Sequence, residues 1–366
     1  MKIICTQENL NKGLNLVSNI ANKNSNLLIL NNVLLRADKD GLILITTDLE
    51  VGIKAFVRSK IEDPGAFTVD AKLLNNFIGL LPKENIELFL QDNDLSIKNK
   101  NQQTTIKGLE AEDFPLIPEI EKENELIISS SDLKKSLGQV ITAASTDSSR
   151  IEINAVNFCF KKDQLILAAT DSYRLAEKII KITNGQEANL IIPLKTLQEL
   201  LKILNEEEEQ KVKVYFKENQ ILFTFNSVEL VSRVIDGKYP DYSQIIPESF
   251  ATSAKCDLNK LVPAIKAVAL FCKQGINDIR LSFDEHTQEI IVATASSNTG
   301  KSVARVSAKV DGNNNEVVFN YRYLLDGLNH IKTSDVILQI NNNSSPGLLK
   351  PTDSQNYIYL VMPIRQ

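Results

Sequence analysis

The stretch AATDSYRLAEK, residues 168–178, sets an acid, a hydroxyl, a phenol and a guanidinium in a row: Asp171, Ser172, Tyr173 and Arg174. Such a set could act as a nucleophile beside an acid, or Asp171 could pair with Asp48 for acid–base work. A Ser-His-Asp mechanism would have to draw His286 or His330, the chain's two histidines, from a distant segment. Neither histidine lies at zinc-ligand spacing, and Cys5, Cys159, Cys256 and Cys272 form no CxxC pair. These cysteines read as small buried hydrophobes rather than a disulfide framework or metal site. No glycine-rich phosphate loop is present, and no base adjoins Ser172. Residues 46–55, TTDLEVGIKA, moreover repeat the opening of the stretch without its Ser, Tyr or Arg. The shared Thr-Asp is then a turn element, because Asp bonds its own backbone in tight turns. What is particular to the second copy is Tyr173-Arg174-Leu175.

The elements that would hold these residues occur three times. Amphipathic helices are expected at 7–21, 131–144 and 257–271, about 125 residues apart, a plausible domain size. A strand and a second helix follow in AFTVDAKLLNNFIGLLP, NLIIPLKTLQELLKILN and EVVFNYRYLLDGLNHIK. Leu133, Leu137, Val140, Ile141 and Ala144 share one helical face; so do Leu197, Leu200, Leu201 and Leu204, and Leu74, Phe77, Ile78 and Leu81. Runs such as GLILITT, QLILAAT, KVKVYF and EIIVAT read as strands. The fold expected is α+β, three repeated domains (1–120, 121–248 and 249–366), each with two helices on antiparallel sheets.

The 366 residues are 43% hydrophobic and 24% charged, a globular balance, with no apolar run long enough to span a membrane and no signal-peptide pattern. A cytoplasmic protein is expected. The net charge is −5 and the pI about 5.4, which argues against a groove-reading DNA binder. Past their first turns, however, the helices are mostly basic: Lys12, Lys72, Lys134, Lys135, Lys195, Lys202, Lys260, Lys266 and Arg322. Acids stand at helix starts (Glu8, Asp70, Asp132, Asp257), where they complement the helix dipole. Recurrence in all three repeats suggests one shared positive surface. The run EEEE at 206–209 reads as a solvated turn.

The tripled pattern, ATDSYRLA (169–176), DGKYPDYSQIIP (236–247), FNYRYLLDGLNHI (319–331) and the terminal YLVMPIRQ (359–366) resemble the bacterial DNA sliding clamp family, the beta subunit of DNA polymerase III. The resemblance covers the whole chain, with EDFPLIP (112–118) as a weaker echo in the first repeat. It implies a non-catalytic, cofactor-free, head-to-tail homodimer: a ring with sheets outside and helices around duplex DNA. A ring holds DNA by topology, so an acidic pI poses no difficulty. The resemblance also implies a groove for short peptide motifs of the replicative polymerase, the clamp loader and repair proteins. Its matching positions are Ile153, Thr170, Tyr173, Arg174, Leu175, Pro240, Ile245, Asn320, Tyr323, Val361, Met362, Pro363 and Ile364.

Several positions depart from the family. Ser172 and Tyr173 stand where Gly and His are common, Gln244 replaces a frequently basic residue, and Gln366 replaces a terminal hydrophobe. Asn24 and Ile151 occupy places where relatives carry DNA-touching Arg and Tyr; Lys23 and Arg150 are nearby substitutes. Strands QTTIKGL (103–109), with Thr104 and Ile106, and KSVARVS (301–307) are expected to pair between chains, with Leu270 and Phe271 adding apolar burial. A monomeric three-domain scaffold that binds peptides without encircling DNA would leave the same pattern.

Overall fold

The computed structural model describes residues 1–21, 27–92, 94–123, 125–183, 186–204, 210–217, 219–273, 275–296 and 300–365. Lys23, Asn24, the run 206–209 and Gln366 lie outside the described residues. Among the described residues six α-helices appear in the expected pairs: α1 (Gln7–Val17), α2 (Ala71–Leu80), α3 (Ser130–Val140), α4 (Leu194–Ile203), α5 (Leu258–Ala269) and α6 (Tyr321–Asn329). The first helix of each pair is shorter than its apolar pattern. The Ser18 hydroxyl donates to the Leu14 carbonyl just past the end of α1, and α3 tightens into a 3-10 turn over Ile141–Ala143. Two of the acids at helix starts are N-caps: Asp70 accepts from Leu73 N–H at 2.7 Å and Asp257 from Asn259 N–H at 2.8 Å. In α1 the cap is Thr6, not Glu8.

The residues pack as two compact units, Met1–Ser131 with Gln198–Val234, and Asp132–Leu197 with Ile235–Gln366. Among the described residues each unit contains one continuous antiparallel sheet, of thirteen and twelve strands respectively. The middle repeat therefore contributes strands to both sheets. In the first unit strand Val51–Val57 of repeat one pairs with Val228–Arg233 of repeat two, placing Ile53 opposite Leu230. In the second unit Arg174–Lys181 of repeat two pairs with Tyr357–Val361 of repeat three, placing Ala176 opposite Tyr359. Helices pack on one face of these sheets. The alternating side chains Leu42 and Leu44 beneath α1 are fully buried, as are Leu10 and Leu14 of the helix. Gly13 lets α1 approach closely: a Cβ there would lie 2.5 Å from Val57.

The repeats align residue by residue through their hydrogen-bonded rows. Counting four residues back from the first helices, one row runs Ile3–Leu88–Ile97–Thr104. Its counterparts are Leu126–Val214–Phe223–Leu230 and Ala254–Leu338–Leu349–Tyr359. Counting from the second helices, Phe67–Leu35–Leu44–Ala55 matches Leu190–Phe158–Leu167–Lys178 and Val317–Leu281–Val292–Ala304. Thr104 is thus equivalent to Leu230 and Tyr359, and Ser302, two residues before Ala304, to Ile53 and Ala176.

Besides the terminal strands of the two sheets, two stretches have an open edge among the described residues. Strand Gln103–Leu109 pairs along 103–107 with Asp94–Lys98, and reaches a second partner, Gly65–Asp70, only at Gly108 and Leu109. Strand Gly300–Gly312 pairs over 300–307 with Glu289–Ser296, then crosses to Thr252–Asp257 over 308–312. Neither is a terminal strand of its sheet, so the expected edges are shorter than the whole strands. No described helix is long and apolar enough to cross a membrane.

Candidate functional site

The row of reactive groups at 171–174 is one of two copies of the same turn. Thr170 Oγ1 donates to the Arg174 carbonyl at 2.7 Å and accepts from Ser172 N–H at 3.1 Å. Thr47 Oγ1 donates to the Val51 carbonyl at 2.9 Å and accepts from Leu49 N–H at 3.0 Å. Asp171 Oδ1 accepts from Tyr173 and Arg174 N–H at 2.9 and 3.0 Å, as Asp48 Oδ1 accepts from Glu50 and Val51 N–H at 3.1 and 2.8 Å. Ser172 and Leu49 even share a left-handed backbone, φ 79° and 77°. Both aspartates bind local backbone. The Ser172 hydroxyl accepts from the Arg150 guanidinium at 2.9 Å.

Strand parity sorts the expected groove residues onto two faces. Arg174 and Val361 are register partners on one face. There Arg174 Nε donates to Asp171 at 3.0 Å, its Nη1 donates to Asp326 of α6, and the guanidinium lies 4.6 Å from the Tyr323 ring centre. Tyr173 stacks on Tyr323 at 6.2 Å. Burial first, then the Asp171 carboxylate, raises the Tyr323 hydroxyl above its usual range. Val361 is buried beside Phe319 and Leu324 and has no open surface to offer a ligand. Asn320 is the N-cap of α6, accepting from Arg322 N–H at 3.0 Å.

Leu175 and its partner Leu360 face the other way, packed with Leu348 beneath Tyr242, Ile246 and Phe250. Leu175 is only 1% exposed and Ile153 only 2%. Ile153 clusters with Ile191, Tyr239 and Tyr242, and the Tyr239 hydroxyl accepts from Thr170 N–H at 3.0 Å. These two residues are floor rather than wall. The accessible surface above them is Tyr173 (61% exposed), Ile245 (41%) and Pro240, with half-buried Met362, Pro363 and Ile364. The tail is tied down by backbone bonds: Met362 N–H donates to the Tyr173 carbonyl and Ile364 N–H to the Val318 carbonyl, both at 2.8 Å. Tyr173 and Met362 are therefore neighbours. Arg174, one of the expected groove positions, has its Nε engaged by Asp171 and its Nη1 by Asp326. Tyr239, Tyr242, Ile246 and Asp326 were not among the expected residues. Tyr242 and Ile246 stand in DYSQIIP, but nothing local marks them as the cover of Leu175.

Among the basic residues, Lys12 and Lys202 line one cleft in the first unit, beside Glu8 and Lys83. Lys202 also pairs with Glu199 at 2.7 Å. Lys72, Lys135, Lys195, Lys260, Lys266 and Arg322 are exposed on their helices, and Lys134 is half-buried. Arg150 instead sits at the Ser172 turn. Of the residues expected at a chain–chain contact, Leu270 is 79% exposed and Phe271 is exposed at the end of α5, while Val303 on the open edge is 62% exposed. Ile106 points inward and is buried, so only its backbone edge is available; Thr104 is half-buried. No group of three His, Cys, Asp or Glu among the described residues could hold a metal.

Family models for the DNA polymerase III beta subunit match along the chain: the N-terminal domain over residues 1–118, the central domain over 127–241 and the C-terminal domain over 243–365. The beta sliding clamp of Synechococcus elongatus is 33% identical over 375 aligned residues, spanning 100% of this chain and 99% of its own. That of Bacillus subtilis is 28% identical, covering 92% of each chain. The crystal structure of the Bacillus subtilis DNA polymerase sliding clamp superposes with a TM-score of 0.96 at 26% identity, covering 100% of this chain and 99% of that one. A DnaN sliding clamp from Pseudomonas aeruginosa bound to griselimycin gives 0.95 at 27% identity over 100% of both chains.

Proposed function

The chain belongs to the DNA polymerase III beta subunit family, and we propose that two copies close head to tail into a ring that slides on duplex DNA. The observation that carries this is the sheet junction made twice within the chain in the same register, Ile53 opposite Leu230 and Ala176 opposite Tyr359. The two strands left over, at 103–107 and 300–307, are the two halves a third such junction would need. A head-to-tail contact between two chains supplies it twice and leaves neither edge open. The repeat alignment sets its register: Thr104 of one chain faces Ser302 of the other, with Thr105 facing Lys301 and Gln103 facing Val303. Val303, Leu270 and Phe271 supply apolar surface in the third repeat.

The ring encloses DNA, and the basic residues of the helices give weak, sequence-independent phosphate contacts that permit sliding. The same ring tethers the replicative polymerase, and the clamp loader and repair proteins in turn, by peptide motifs docked over Tyr173, Pro240, Ile245 and Met362. This work is done in the cytoplasm, needs no catalytic step and gives the polymerase processivity. A Thr104→Cys, Ser302→Cys double variant tests the junction, because directly opposed cross-strand residues have Cβ atoms about 4.5–5.5 Å apart. A short bis-maleimide should yield a covalent dimer, while the shifted pair Thr104→Cys, Arg305→Cys should crosslink poorly. Equal yields from both pairs, or a monomer in light scattering at micromolar concentration, would contradict the register and favour the scaffold.

A further inference from the structure

The first unit carries a second surface that neither the ring nor the groove uses. On the sheet face turned away from α1, Arg36, Ile43 and Phe56 form one row across three strands, and Phe56 is 42% exposed. Lys54 and Glu229 form the neighbouring row, and the strand bearing Lys211 closes the far side. Together they border a cleft of about 600 Å³. Five cations and two carboxylates line it, in a chain of net charge −5. Two of the five are neutralised: Lys122 pairs with Glu229 at 2.7 Å and Lys213 with Glu125 at 2.9 Å. Arg36, Lys54 and Lys211 have no carboxylate within ion-pair distance among the described residues.

The second unit shows how this position is filled when it is covered. The equivalents of Lys54 and Phe56 there are Glu177 and Ile179. The Tyr242 hydroxyl donates to Glu177 at 2.7 Å, and Tyr242, Ile246 and Phe250 lie across the adjoining apolar residues. In the first unit the corresponding connection packs buried Ile120 and half-buried Ile117 against Tyr215, Leu222 and Val231, and leaves the corner at Arg36, Lys54 and Phe56 open. The covered copy thus holds an aromatic segment against a carboxylate, and the open copy offers an aromatic floor and cations instead.

We propose that this cleft docks an acidic peptide segment carrying an aromatic side chain, the ring on Phe56 and the carboxylates on Arg36, Lys54 and Lys211. The proposal does not rest on the ring reading. Fluorescence anisotropy at low salt, with a labelled Asp-Glu-Asp-Tyr-Glu-Asp-Phe-Glu peptide as probe, tests it. Wild type should bind saturably, and the Lys54→Gln, Lys211→Glu variant about tenfold or more weaker, with a cooperative urea transition retained. Phe56→Ala should weaken binding about three- to tenfold. A peptide with Asn and Gln for its acids should lose binding similarly to the double variant. Absence of binding to wild type, equal binding to the double variant, or tighter binding of a thymidine oligonucleotide of equal charge would overturn the proposal.

Discussion

A leucine and a serine hold the same left-handed position in the two Thr-Asp turns, Leu49 and Ser172. That conformation costs a residue with a Cβ about 1–2 kcal/mol, while glycine adds unfolded-state entropy worth about 0.4–1. Leu49→Gly should therefore stabilise by up to about 1 kcal/mol in urea unfolding. Ser172→Gly should gain less, because its bond from Arg150 is lost. Since Asp48 and Asp171 each accept two backbone N–H groups, Asp48→Ala and Asp171→Ala should each cost about 1–3 kcal/mol. A stability loss confined to one of them would contradict the shared turn. Burial pushes the Cys5 and Cys256 thiols up to about 12, so at pH 8 only about one in ten thousand is thiolate. Native protein should leave both unmodified by iodoacetamide in minutes, with full labelling in urea. The turn was legible because an Asp bonding its own backbone is a local event. The facing of Leu175 and Val361 was not, because it depends on where a strand begins and what crosses it.

Strand parity decides what a groove mutation measures. Leu175→Ala removes a buried side chain from beneath Tyr242, Ile246 and Phe250, and should cost about 2–4 kcal/mol of stability whatever binds above. Met362→Ala and Ile245→Ala alter accessible surface, and each should weaken a Gln-Leu-x-Leu-Phe-like peptide about tenfold or more with little change in unfolding. Calorimetric titration on folded variants separates the two; unchanged affinity in the Met362→Ala, Ile245→Ala pair would remove the groove from this place. The connection between repeats one and two is held by Glu125, whose carboxyl lies below its ordinary range because it accepts from the Tyr215 hydroxyl and then pairs with Lys213. A lowered folded value means this contribution is present above the ordinary carboxylate value and fades as pH falls through the lowered one. The urea midpoints of wild type and Glu125→Gln should differ at pH 6 and converge as pH falls through the lowered carboxyl value. A gap that stayed constant with pH would show that the carboxylate is not the anchor. Helix pairs and strands were readable from periodicity, since the chain writes the same apolar pattern three times, once in each repeat. The sharing of the middle repeat between two sheets was not, because Val228–Arg233 meets Val51–Val57 across some 170 residues of chain.

At the scale of the molecule, charge and topology carry different parts of the account. The acidic balance of −5 weakens any hold that depends on affinity, so retention has to come from enclosure. Lys12 and Lys202, which share a cleft, are suited to charge reversal: Lys12→Glu with Lys202→Glu should slow loading and flatten its salt dependence without changing the dimer mass. Repetition is what made the proposed closing junction derivable, because two copies within the chain give the register expected of a third. The most direct measurement is retention on DNA before and after opening the circle. Protein loaded on a nicked plasmid and passed through a gel-filtration column should remain with the circular DNA, and should run off after a single restriction cut. Equal retention on circular and linear plasmid would contradict enclosure.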